Sequence, residues 1–134
     1  MLYSAFAGRQ ALIDAAALSG FSDVAAALEA ADASPMARMR AYLDFAAAHP
    51  RVYEAMFSLP SGLAFAADDT PEPLRRAFAS IRDAFPDADG TRAEVAWSAL
   101  HGLATLQASG RLRPSQARAR LDLAHRMLTQ QETR

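Results

Sequence analysis

The chain has 134 residues, a formal net charge of −1 and no cysteine, and 51% of its residues are hydrophobic. This length and composition predict one globular domain rather than a disordered chain. The small net charge provides no general attraction to nucleic acid or to a membrane surface. The lack of cysteine excludes disulfides, thiolate nucleophiles and cysteine-ligated zinc.

The N-terminal segment has neither the pattern of a signal peptide nor that of a membrane anchor. Arg9 and Asp14 interrupt its apolar residues, and no uninterrupted apolar run in the chain approaches the length of a membrane span. We therefore expect no membrane segment, and we expect a cytoplasmic protein.

Hydrophobic periodicity predicts helices throughout the chain and no strands. The first helix is expected over residues 9–31, with Gly20 as a weak point. Ser34 and Pro35 have the residue types of an N-cap and a first helical position, and Pro50 is expected to end the second helix.

The second half of the chain continues this pattern. A short helix closed by Pro60 precedes a loop over residues 60–70, and Thr70 is expected to cap the next helix. An apolar stripe of that helix consists of Leu74, Phe78, Ile81 and Phe85. Two longer helices are predicted over residues 91–109 and 114–131, which makes an all-α fold of about six helices.

The helix around the single tryptophan is apolar on two opposite faces. One face consists of Val95, Ala99, Gly102, Leu103 and Leu106. The other consists of Trp97, Leu100, His101, Ala104 and Ala108. A helix of this kind must be covered on both sides. The core of the domain covers one face, and we predict that a second copy of the chain covers the other. The alternative is that both faces are buried within one monomer.

The last helix also predicts a homodimer. Its apolar stripe consists of Ala117, Leu121, Ala124 and Leu128. Two such helices from each of two subunits form a four-helix bundle with two-fold symmetry. The predicted dimer interface therefore combines this stripe with the face of Val95, Ala99, Gly102, Leu103 and Leu106.

Trp97 and His101 lie one helical turn apart on the opposite face. An aromatic ring beside one titratable hydrogen-bonding group is typical of a small-molecule pocket. The alternative is a core tryptophan with a structurally satisfied histidine. The residues by themselves leave these two interpretations equal.

No catalytic or metal-binding pattern is visible in the sequence. The three histidines, His49, His101 and His125, have no metal-ligand spacing. There is no GxSxG nucleophile motif and no glycine-rich phosphate loop. We therefore expect no enzymatic activity, no metal and no cofactor.

Two parts of the sequence resemble the TetR family of bacterial transcriptional regulators. The segment "LYSAFAGRQALIDAA", residues 2–16, resembles the end of the family's recognition helix and the start of its linking helix. The matching positions are Leu2, Tyr3, Phe6, Arg9 and Leu12, whereas Ala5 stands where histidine is usual. The segments "YLDFAAAHPRVYEAMF" and "WSALHG" are similar to one subclass of the family's C-terminal domain, with Trp97, His101 and Gly102 as its signature.

This resemblance implies the regulatory domain of a one-component repressor. In such proteins a helix-turn-helix binds operator DNA as a dimer, and C-terminal helices bind a small molecule that releases the DNA, which couples two sites through two global states. Residues 1–8 correspond to a remnant of the recognition helix and its turn, and residues 9–134 to the ligand-binding and dimerisation domain.

Most of the helix-turn-helix is missing from the sequence. Bases are read by the N-terminal part of a recognition helix, so Tyr3 and Arg9 are expected to contact phosphates only. We expect binding to operator DNA only if the missing helices are present.

The expected effector is a small apolar or aromatic molecule. Its predicted pocket is lined by Met39, Tyr42, Phe45, Tyr53, Met56, Phe57, Phe78, Trp97, Leu100 and His101, and core packing is the alternative for each of them. The alternative function is a naturally truncated helical partner module that does not bind DNA and acts through dimerisation.

Overall fold

A computed structural model describes the backbone of residues 2–57 and 70–130, and the side chains of these ranges from Gly8 onward. All regular structure in these ranges is helical. The described residues form six α-helices: α1 (Leu2–Ala30), α2 (Pro35–Ala48), α3 (Pro50–Phe57), α4 (Glu72–Ala84), α5 (Thr91–Ala108) and α6 (Ala117–Thr129). The prediction of an all-α fold with about six helices is confirmed.

The first helix is longer than expected and is not weakened at its glycine. α1 has 29 residues and runs without interruption through the boundary predicted between residues 8 and 9. Gly20 lies inside it at the crossing with α3. A Cβ atom at Gly20 would stand 2.6 Å from Cγ of Met56 and 3.0 Å from Cγ1 of Val52. The glycine is therefore the residue that allows α3 to approach α1.

One observation corrects our expectation about apolar length. Gly8–Ala30 is long and apolar enough, by length and composition only, to cross a membrane. Its uninterrupted apolar runs are short, but its many alanines raise its mean hydropathy despite its few charges. Phe21, Val24 and Leu28 of this helix are buried in the core, and a core helix passes the same test.

The second helix begins and ends where the sequence predicts. Ser34 is the N-cap, its Oγ accepts a hydrogen bond from the backbone N–H of Ala37, and Pro35 is the first helical residue. The backbone N–H of His49 closes the helix by donating to the carbonyl of Phe45. Pro50 then starts α3. Pro60 and most of the loop predicted over residues 60–70 lie outside the described residues.

The predicted stripe of α4 is confirmed, but its predicted cap is wrong. Leu74, Phe78, Ile81 and Phe85 are all at most 6% exposed. The N-cap of α4 is Pro71, with no side-chain capping bond, rather than Thr70. Pro71 itself is extended, with a φ of −57° and a ψ of 147°, so the helix begins after it.

The turn before α5 is held by an aspartate. Gly90 adopts a φ of 87°, a left-handed conformation that favours glycine. The carboxylate of Asp87 accepts hydrogen bonds from the backbone N–H groups of Gly90, at 2.7 Å, and of Arg92, at 2.8 Å. This carboxylate satisfies N–H groups that the helix itself leaves unpaired. At the other end of the domain, α6 is preceded by a 3-10 turn, Pro114–Gln116.

A buried arginine that the sequence did not reveal joins three helices. Arg38 of α2 is 6% exposed. Its guanidinium donates to the carbonyls of Ala31 and Asp32, after the end of α1, and to the carbonyl of Ser80 in α4 at 2.6 Å. Five fixed N–H donors allow one side chain to satisfy several carbonyls. The remaining core lies between α1, α2, α4 and α5, with α3 packed on α1.

Candidate functional site

Four polar side chains form one hydrogen-bonded chain from the core to the surface. Nε1 of Trp97 donates to Oη of Tyr42 at 2.8 Å. Oη of Tyr42 lies 2.6 Å from Oη of Tyr53, which lies 2.6 Å from Nδ1 of His101. These residues come from α5, α2, α3 and again α5. We call this set of four side chains the polar relay.

Burial sets the protonation of the relay. Burial raises the pKa of Tyr42 to about 12, although its hydrogen bonds with Tyr53 and Trp97 lower it. Burial also raises the pKa of Tyr53, and the nearby Tyr42 raises it further. Burial lowers the pKa of His101. All four side chains are therefore neutral near pH 7, as expected where charges would lose hydration.

His101 ends the relay at a cleft between α3 and α5. The cleft has a volume of about 530 Å³, within the range of small-molecule sites. Its described lining residues are Pro50, Tyr53, Glu54, Phe57, His101, Thr105, Ala108 and Ser109. The rings of Phe57 and His101 lie 4.3 Å apart between centroids. The cleft thus combines aromatic surface with one histidine and one carboxylate.

The structure separates the residues predicted to line a pocket into two groups. Tyr53, Phe57 and His101 line the cleft. The other seven are buried in the core: Met39, Tyr42, Phe45, Met56, Phe78, Trp97 and Leu100. Trp97 is 2% exposed and its ring stacks on Phe78 with 6.3 Å between centroids. For these residues the structure shows core packing, while Tyr42 and Trp97 still reach the cleft through the relay.

Sequence reasoning missed several residues that line the cleft. Thr105 and Ala108 follow His101 by four and seven residues, so the helical period places all three on one face. That period was a usable signal for them. No such signal exists for Pro50 and Glu54, because only the packing of α3 beside α5 places them in the same cleft as His101.

The face of α5 opposite Trp97 is uncovered in one copy of the chain. Val95 is 54% exposed and Leu106 is 42% exposed, while Ala99 and Leu103 are half-buried. A Cβ atom at Gly102 would meet nothing within 4 Å. Nothing in the described part of the chain therefore packs closely on this glycine.

The predicted stripe of α6 behaves differently from the face of α5. Leu121 is 9% exposed and belongs to the core of its own chain, and Ala124 and Leu128 pack against that core. Leu121 is therefore covered by its own chain, whereas Ala124 and Leu128 are partly covered by it. Ala117 is exposed, as are Leu123 and Met127, at 49% and 68%.

The two residues expected to contact phosphates are only partly described. Arg9 lies exposed on α1. The side chain of Tyr3 lies outside the described residues. Within the described part of the chain no group of three or more histidine and acidic residues is arranged to hold a metal ion.

Comparison with known proteins identifies the family. A family model described as "Tetracyclin repressor-like, C-terminal domain" matches residues 36–130. The chain belongs to this family. TetR-like domains of this kind commonly dimerise and bind small-molecule effectors in transcriptional regulators, and they are typically not enzymes.

One solved structure extends the similarity over almost the whole TetR-like chain. It is described as "a protein with unknown function from Rhodococcus sp. RHA1" and is 30% identical in sequence, with a TM-score of 0.59. The match covers 91% of this chain and 75% of that chain. A comparison with curated proteins finds no match.

Proposed function

We propose that this TetR-like domain binds a small apolar or aromatic effector in the cleft between α3 and α5 and forms a homodimer in a cytoplasmic transcriptional regulator. The observation that carries the proposal is the cleft of about 530 Å³, in which Tyr53, Phe57 and His101 meet. Aromatic walls with a few polar groups are the usual composition of such sites.

A direct contact links this cleft to the first helix. Phe57 lines the cleft, and its ring packs edge-on against Phe21 of α1 with 5.4 Å between centroids. By the resemblance, the part of α1 from Arg9 onward corresponds to the linking helix that follows the DNA-reading part of a regulator. An effector that moves Phe57 therefore acts on this helix, and through it on a DNA-binding domain. Coupling of this kind requires only that the effector favours one position of α1 over another.

The uncovered face of α5 supports the homodimer. Val95, Gly102 and Leu106 present apolar or bare backbone surface on one side of the helix. Leu123 and Met127 add exposed apolar surface on α6, the α-helix that follows α5 in the chain. Apolar surface of this kind on a small domain indicates an interaction site.

The effector site is tested by filling the cleft from its exposed wall. Thr105→Phe places a ring in the cleft without changing the core, because Thr105 is exposed and lines the cleft. We expect effectors found by thermal-shift screening of aromatic compounds to lose at least tenfold in affinity in this variant, measured by calorimetry. Ser98→Phe is the control, since Ser98 is exposed on the same helix, two turns earlier. Equal affinity in the wild type and in Thr105→Phe contradicts the site.

A further inference from the structure

The hydrogens of the polar relay can be assigned from its first member. An indole N–H donates and does not accept, so Oη of Tyr42 accepts from Trp97. Tyr42 is fully buried, and the other oxygen beside its hydroxyl is that of Tyr53, at 2.6 Å. The hydroxyl of Tyr42 therefore donates to Tyr53, because a buried donor without an acceptor is costly.

The same reasoning continues to the histidine. Oη of Tyr53 already accepts from Tyr42, so its own hydrogen is free to donate to Nδ1 of His101, at 2.6 Å. Nδ1 is then an acceptor and carries no hydrogen. The neutral ring must hold its proton on Nε2, because one nitrogen of a neutral imidazole donates and the other accepts.

The opposite assignment is disfavoured throughout the relay. A hydrogen on Nδ1 would have to be donated to Oη of Tyr53, which would then receive hydrogens from both His101 and Tyr42. The hydroxyl hydrogen of Tyr53 would lose its acceptor in a buried position. Trp97 thus sets the direction of three hydrogen bonds and fixes His101 as a donor through Nε2.

We infer that the cleft selects an apolar or aromatic ligand that carries an uncharged hydrogen-bond acceptor, such as a ketone or ether oxygen, held by the Nε2–H group of His101. This inference rests on the proposed function, because it specifies the ligand of the same cleft. Nδ1 is the His101 nitrogen that has a partner in the described part of the chain, and the ring lines the cleft. Glu54 also lines the cleft, so an anionic acceptor meets a like charge there.

The direction of the relay is tested without any ligand. In protein labelled with ¹⁵N in the imidazole rings, we expect the signals of His101 to be those of a ring protonated on Nε2, with Nδ1 unprotonated. In Tyr53→Phe the donor to Nδ1 is removed, so the two signals are expected to move toward the average of both tautomers. A hydrogen on Nδ1 in the wild type, or unchanged signals in Tyr53→Phe, overturns the inference.

The ligand class is tested with an isosteric pair of probes. 2-Acetylnaphthalene and 2-isopropenylnaphthalene differ in that a carbonyl oxygen of the first replaces a methylene group of the second. We measure both dissociation constants by equilibrium dialysis, for the wild type and for His101→Phe, which keeps an aromatic ring and removes the donor. The preference for the ketone is expected to be about threefold to tenfold greater in the wild type than in the variant, the ratio that one hydrogen bond supports.

The outcomes distinguish this inference from the proposed function. Equal preference in the wild type and the variant overturns the inference, while binding of both probes leaves the cleft as an effector site. If neither probe nor any aromatic compound binds, the proposed function fails and the inference fails with it. Circular dichroism of His101→Phe, which replaces a half-buried ring by another ring, checks that the variant is folded.

Discussion

The protonation of His101 is determined by its burial and by its hydrogen-bond partner. His101 is half-buried, and burial lowers its pKa below the ordinary value of 6.5. Among the described residues, the titratable groups that line the cleft with His101 are Tyr53, at 2.6 Å, and the exposed Glu54. The polar relay, like burial, disfavours the protonated ring of His101. An imidazolium would need an acceptor at Nδ1, whereas Tyr53 is a donor there.

This histidine predicts that acid destabilises the domain. The unfolded chain binds the proton first as the pH falls, so the stabilisation by neutral His101 is present above about pH 6.5 and is lost as the pH falls through the lowered pKa of the folded state. Urea unfolding between pH 7.5 and 5 measures this loss. In His101→Phe the corresponding part of the pH dependence is expected to be absent. The same slope in both proteins contradicts the lowered pKa.

Two glycines in helices have opposite environments and predict opposite effects. In Gly20→Ala the new Cβ meets Met56 and Val52 at 2.6–3.0 Å. We expect a net loss of about 1–3 kcal/mol in the free energy of unfolding, because overpacking outweighs the gain in helix propensity. Gly102→Ala meets no atom within 4 Å, so it is expected to stabilise the monomer by up to about 1 kcal/mol.

Urea unfolding at a concentration at which the chain is monomeric tests both glycine variants, each serving as the control for the other. A stabilised Gly20→Ala protein would show that Met56 moves aside at little cost. If Gly102 lies in the dimer interface, Gly102→Ala is also expected to weaken dimerisation, because a methyl group separates two closely packed helices.

At the scale of elements, helix ends are determined partly by local residues and partly by the turns before them. Ser34 and Pro35 fix the start of α2 by local chemistry alone. The start of α5 depends instead on Asp87, three residues before the N-cap, whose carboxylate reaches two backbone N–H groups. This capping role could not be predicted from the sequence, because it depends on the left-handed backbone of Gly90.

Asp87→Ala is expected to destabilise the domain by about 1 kcal/mol, the usual effect of losing a helix cap. The loss arises because two N–H groups at the start of α5 exchange a carboxylate for water. Urea unfolding measures it, with Asp83→Ala as the control, since Asp83 is an exposed residue within α4. Equal stability of the two variants would show that water replaces the carboxylate without loss.

At the scale of the whole molecule, the apolar surface that one copy leaves open predicts association. Leu106→Arg places a charge on the uncovered face of α5, where Leu106 is 42% exposed. The variant is expected to be a monomer at micromolar concentration, whereas the wild type is expected to be a dimer, both measured by sedimentation equilibrium. An unpaired charge is unfavourable when it is buried in an interface, because it loses its hydration, whereas on a free surface it stays hydrated.

Leu12→Arg is the control for this experiment. Leu12 is 74% exposed, lies on α1 and is not one of the residues of the predicted dimer interface. It is expected to leave the association unchanged. A monomeric wild type contradicts the dimer, and loss of the dimer in Leu12→Arg alone would place the interface on α1 instead.

The helical class, the stripe of α4 and the limits of α2 can be predicted from the sequence, because they depend on periodicity and on residues next to one another. The sequence also separated the two faces of α5 correctly, with Trp97 and Leu100 buried and Val95 exposed. Trp97 and Gly102, five residues apart, therefore lie on different sides of one helix, as the helical period requires.

Which polar atoms meet depends on the packing of the helices and could not be predicted from the sequence. The relay joins residues separated by 11, 48 and 55 positions, and no local pattern encodes such distances. The approach of α3 to α1 at Gly20, the burial of Arg38 and the division of the predicted pocket between core and cleft arise in the same way. Each depends on how helices pack, and packing is set by the combined shape of many side chains rather than by any one segment.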